Sequence, residues 1–221
     1  MKGNILKNLA LATAVLLASG IGYADSFVIN NTGLAAPTSP DPNWTVTTSS
    51  TPGSTNAFVT DTSGYPFGPW LADTAAYGWD SPQPSYTDGE TDGANTNYFY
   101  TTTFDLTGFD PTSALLQFQF AVDDSLVAVI LNGNTLTGFD AGALDTLSAT
   151  QTINLDFVAG INTITFETLN GPAVTTNPTG LLVDFTTATA NTSSAPEPSA
   201  FLLIGAGLGG LGLIRRRLQA R

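Results

Sequence analysis

Apolar and polar side chains alternate with a period of two through much of the chain. Leu116, Phe118, Phe120 and Val122 are separated by Gln117, Gln119 and Ala121, the pattern of a strand with one buried and one polar face. Val127, Val129 and Leu131 continue it and run into Asn132-Gly133, a pair that accepts the positive φ angles of a two-residue hairpin turn. Thr135 and Leu136 then start a return strand. Ile153, Leu155 and Phe157 repeat the alternation, Ala159-Gly160 turns, Ile164, Phe166 and Thr168 come back, and Leu181, Val183 and Phe185 form a last strand. From Asp25 to Thr62 the chain is rich in Ser, Thr, Pro and Asn. Its scattered apolar residues there, Phe27, Val28, Ile29, Trp44, Val46, Phe58 and Val59, predict short early strands joined by loops. No stretch of the body keeps a helical period, and threonine, which favours strands, is abundant. The expected fold is all-β, an antiparallel β-sandwich.

The two ends follow other rules. Lys2 and Lys7 precede an apolar run from Leu9 to Ala18, and Gly22-Tyr23-Ala24 supplies small residues at the −3 and −1 positions of a cut. A basic flank, a short apolar segment and a narrow cleavage site make residues 1–24 a secretory signal peptide, cut by signal peptidase between Ala24 and Asp25. An ordinary N-terminal helix is the alternative; the abrupt change to polar sequence at Asp25 argues against it. At the other end, Ser199 to Ile214 carries no charge and is followed by Arg215, Arg216 and Arg217. As a helix this stretch is ~24 Å long, short of the ~30 Å hydrocarbon core, a gap that snorkelling arginines and local thinning can close. The arginines would stay cytoplasmic and the body would lie outside. Gly205, Gly207, Gly209, Gly210 and Gly212 suit close helix approach in a membrane; in a soluble helix they would cost about 4 to 5 kcal/mol relative to alanine. The expected division is signal peptide 1–24, β-sandwich domain 25–187, polar linker 188–195 and a C-terminal signal 196–221 with a transmembrane helix over 199–214.

Charge sharpens this division. The 221 residues hold 18 acids against 6 bases, with no cysteine and no histidine, for a net charge of −12. All six bases lie in the two ends, and none falls between residues 8 and 214. The body therefore has no disulfide, no zinc or haem site of the usual ligands, and no Ser/His/Asp or Cys/His catalysis. Its acidity repels phosphate backbones, which disfavours nucleic acid as a partner.

Pro196-Glu197-Pro198, an apolar span and Arg215 to Arg217 in that order at the end of the chain resemble the PEP-CTERM sorting signal of Gram-negative bacteria. The resemblance covers about the last 26 residues. It implies processing by exosortase, a membrane-embedded transpeptidase-like protease, in an organism that makes exopolysaccharide. The span is then a transient inner-membrane anchor, and the product is released to the cell surface or the extracellular matrix. Leu218 to Arg221, beyond the arginines, departs from the usual pattern. Within the body, Tyr98 to Leu106, Asp123-Asp124 after one strand, Asn132-Gly133 after the next and Gly160-Ile161-Asn162 before a later one look like the galactose-binding-like jelly roll. That resemblance implies a fold that hosts sugar-binding, adhesive and purely structural modules.

The segment from Tyr65 to Tyr98 holds the richest side-chain chemistry. A sugar site needs an aromatic face for the pyranose C–H bonds and carboxylates or amides for its hydroxyls. Trp70, Tyr77, Trp79, Asp80 and Tyr86 are the candidates; the other reading has Trp70 and Trp79 plugging the end of the core. Asp88, Glu90 and Asp92, with Gly93 after them, resemble the first half of an EF-hand loop, but its twelfth position is Phe99 rather than glutamate. They are candidate calcium ligands, or else a solvated acidic loop. Asp123 and Asp124 are a second calcium candidate, with a turn role as the alternative. Catalysis would rest on carboxylates alone, as in a glycosidase drawing on Glu90, Glu167 and several Asp, and no spacing selects a pair. The expected function is a non-enzymatic, exported surface or matrix protein binding extracellular polysaccharide. A structural or adhesive protein without sugar binding is the alternative, and calcium is the only cofactor expected.

Overall fold

The protein is described from a computed structural model covering residues 23–48, 55–61, 68–84, 93–172 and 177–193, with 205–208, 211, 215–216 and 219 near the C-terminus. The chain divides into two compact units, Ala24–Thr192 and the two ends taken together. In the unit formed by the ends, the described residues from 205 onward are helical and exposed, Arg215 and Arg216 among them. Among the described residues no helix is long and apolar enough to cross a membrane. The signal peptide through residue 22, most of the 199–214 span, Pro196-Glu197-Pro198 and Arg217 lie outside the described residues.

In the described part of the body the strands are antiparallel, joined by loops and one 3-10 turn at Pro111–Ser113. Its strands are β1 (Ala24–Ser26), β2 (Pro40–Thr48), β3 (Thr55–Val59), β4 (Asp80–Ser81), β5 (Thr96–Asp105), β6 (Leu115–Asp123), β7 (Ser125–Leu131), β8 (Asn134–Leu136), β9 (Gln151–Ile153), β10 (Ile161–Asn170) and β11 (Gly180–Asn191). They pair in the order β8-β7-β10-β5-β2-β3-β4-β11-β6-β9, with β1 on β11. The two-residue β4 bridges two broader halves, and the sheet curls so that these halves face each other. Phe118 of β6 meets Phe166 of β10 edge-on at 5.3 Å, and Phe185 of β11 lies 6.3 Å from Trp44 of β2. Trp44, Tyr100, Leu116, Phe118, Phe120, Leu131, Ile164 and Phe166 are fully buried between them.

Period-two alternation produces this core directly. Along β10 every second residue from Asn162 to Asn170 is buried, and β5 does the same from Tyr98 to Phe104. Asn132 and Gly133 take φ of 52° and 83° and join β7 to β8 in register, as the hairpin turn requires.

Three expectations need correction. Val127 is half exposed while Leu126 is buried, because the β7–β10 register shifts at Glu167/Thr168 and a bulge swaps the faces of the residues beside it. β9 stops at Ile153, leaving Leu155 exposed; Asp156, at a φ of 64°, turns the chain out of the strand. The linker expected over 188–195 is strand as far as Asn191. There β11 pairs with β6 as far as Thr189 and with β1 from Thr189 to Asn191, so the sheet takes up its backbone groups.

Candidate functional site

The tryptophans singled out for sugar stacking pack against each other instead. Trp70 and Trp79 rings lie 4.2 Å apart and form a second small core with Ala121 and Leu182. Both indole N–H groups donate inside the protein, Trp70 to Asp123 Oδ2 at 2.8 Å and Trp79 to the Leu71 carbonyl at 2.8 Å. Gly180 makes room for them: a Cβ there would come within 2.8 Å of the Trp70 ring. Trp79 is fully buried, so it offers no face to a pyranose, and the end-plug reading is the one the packing supports. Tyr77 is half-buried against this cluster. Tyr86, Asp88, Glu90 and Asp92 lie outside the described residues.

Asp123 and Asp124 are engaged locally. Asp123 receives Trp70, its carbonyl accepts from the Thr179 hydroxyl, and Asp124 Oδ2 accepts the Gly171 N–H at 2.6 Å. Carboxylates so placed fasten the Trp70 loop and the 171 turn to β6, the turn role named above. The Asn-Gly turn and the Gly-Ile-Asn segment likewise come together. Asn132 Nδ2 donates to Asn162 Oδ1 at 2.8 Å, and the Thr163 N–H donates to Asn132 Oδ1 at 2.9 Å. Asn162 in turn takes the Val158 N–H and gives to the Val158 and Gly160 carbonyls. Asn162 closes this loop with its full amide capacity, two bonds accepted and two donated.

Asp80 differs from every other acid described. It is wholly buried, as is Asp41 on β2, and neither Asp80 oxygen has a hydrogen-bond partner among the described residues. The Gly33 N–H faces Asp80 but makes its bond to Asp41 Oδ2 at 3.2 Å, while the Asn43 N–H serves Asp41 Oδ1 at 2.8 Å. Burial, and then the Asp41 carboxylate, push Asp80 well above the usual carboxylate range; Asp73 adds to the shift. Gly33, at a φ of 72°, closes this corner so tightly that a Cβ would fall 2.3 Å from the Gly78 backbone.

The outward face of the β7-β10-β5-β2 half carries a different set of groups. Ladder pairing puts Thr47, Phe99, Glu167 and Ala128 in one row across four strands. The next row holds Thr45, Thr101, Thr165, Ile130 and Thr135, and Thr103 faces Thr163 beyond it. Asn97 donates its amide to Glu167, and the Thr101 and Thr165 hydroxyls meet at 2.8 Å. Phe99 is a half-buried aromatic on this face, beside a carboxylate, an amide and several hydroxyls. Neighbours within a row stand about 4.8 Å apart and successive rows about 7 Å apart, so these groups form one continuous amphipathic surface.

Fold and surface together define an all-β antiparallel module with a buried aromatic plug and a hydroxyl-rich outer sheet face. No family model matches the chain, and neither a curated protein nor a solved structure matches it.

Proposed function

We propose that the chain is an exported, exosortase-processed surface or matrix protein whose galactose-binding-like sandwich binds extracellular polysaccharide without catalysis. The observation that carries this reading is the Phe99–Glu167 row. Its aromatic ring is flanked by Asn97, Thr47 and Thr101, the combination of apolar face and convergent hydrogen-bonding groups that a sugar ring requires. The basic ends, the small-residue cut at Ala24 and the Pro-Glu-Pro segment with its arginines support export and sorting. A saccharide also suits the charge of the body, since a neutral polymer is not repelled by it.

Retardation in native gels cast with extracellular polysaccharide tests the reading. Wild-type protein should migrate more slowly than in plain gels, and Phe99→Ala should migrate normally while unfolding at nearly the wild-type temperature. Equal migration of wild type in every polysaccharide gel contradicts sugar binding. A purely adhesive role is the second reading, favoured by the exposed side chains of Leu155, Val158 and Ile161 around the start of β10. It predicts concentration-dependent self-association that persists without sugar.

A further inference from the structure

We propose that Asp41 and Asp80 bind a calcium ion at the corner where β2, β4 and the Gly33 turn meet. Both carboxylates are fully buried and stand next to each other, and neither Asp80 oxygen has a hydrogen-bond partner among the described residues. Buried polar atoms are almost always paired, and an orphaned carboxylate is among the costliest exceptions. Elsewhere such a group is balanced by lysine, arginine or histidine. Here none of these residues occurs between residues 8 and 214. Asp73, whose Oδ1 accepts the Trp79 N–H at 3.2 Å, adds a further negative charge nearby.

A hard cation answers each point, because it neutralises two carboxylates at once and takes only oxygen ligands. Among the described residues no three acidic side chains form a metal-holding group, so backbone carbonyls and water must complete the coordination, as calcium allows. Asp41 keeps its two backbone N–H bonds and still has lone pairs to give; Asp80 has all of its own. Neither Asp41 nor Asp80 is among the acids that sequence spacing singles out for calcium.

The test uses the full-length chain. Its melting temperature is measured in chelator and in calcium, and terbium is titrated with excitation of tryptophan, since Trp79 is the residue next to Asp80. Calcium at about 100 times its Kd should raise Tm by about 5 to 10 °C, and terbium should give sensitised emission that calcium displaces. Asp80→Asn, nearly isosteric, should abolish both responses, and so should Asp41→Asn, which decides the matter if the first variant does not fold. Identical wild-type melting in calcium and chelator overturns the proposal. It is overturned equally if Asp80→Asn melts higher than wild type at neutral pH with no calcium response in either protein, since the pair then shares a proton. A calcium response that survives in either variant places the ion at other acids and overturns it as well.

Discussion

Trp79 and Phe99 are both aromatic, but their surroundings give them opposite duties. Trp79 has no exposed surface and a satisfied indole N–H, so Trp79→Ala leaves a cavity and a lone buried carbonyl. It should lower unfolding free energy by about 3 to 5 kcal/mol, read from chemical denaturation. Phe99 points outward, and Phe99→Ala should cost under about 1 kcal/mol in the same experiment. Asn162 belongs with Trp79: Asn162→Ala removes the partner of both the Val158 N–H and the Val158 carbonyl and should cost about 1 to 3 kcal/mol. A variant that keeps wild-type stability at Asn162 would show that the loop closes without it.

At the scale of elements, the alternation from Leu115 to Phe185 was sufficient to place β6, β10 and β11, because each strand has one face in the core and a register slip would turn that face to water. The Asn132-Gly133 hairpin was legible for the same local reason. What the alternation could not carry was the two-sided burial at the start of β11, where Leu181 faces the main core and Leu182 faces the tryptophan cluster. That depends on a loop from residues distant in sequence. The bulge opposite Glu167/Thr168 was hidden too, since an extra residue in one strand leaves no mark on composition. The tryptophan loop was recognised as aromatic-rich, but sequence alone does not distinguish a ring aimed at solvent from one aimed at β11. Conversely, the alternation left Phe99 unmarked, and its place beside Glu167 is set by the β5–β10 register. Gly180 is the hinge between these readings: Gly180→Ala drives a methyl group into Trp70 and should lower stability by about 1 to 3 kcal/mol, with the near-ultraviolet tryptophan signal altered.

For the whole molecule, the absence of any basic side chain between residues 8 and 214 removes the internal ion pairs that ordinarily offset carboxylates. Stability must then come from apolar burial and neutral hydrogen bonds, and the remaining negative charge repels itself. A pH dependence of unusual sign follows for the calcium-stripped protein. Asp80 holds its proton to higher pH when folded than when unfolded, so its contribution is most favourable below the unfolded value and is lost as pH rises through the folded one. In chelator, Tm should therefore increase as pH is lowered from neutrality into the range just above ordinary carboxylate values, and Asp80→Asn should flatten the profile. A Tm that falls steadily over that range would show that Asp80 is ionised in the folded state. The proposed binding of polysaccharide at the outer face of this acidic body is the central claim. Calorimetric titration of the polysaccharide into wild type, Phe99→Ala and Glu167→Gln measures it most directly. The account predicts at least about a tenfold weaker Kd, equivalent to about 1.4 kcal/mol, in both variants with Tm unchanged; wild-type affinity retained in both would contradict it.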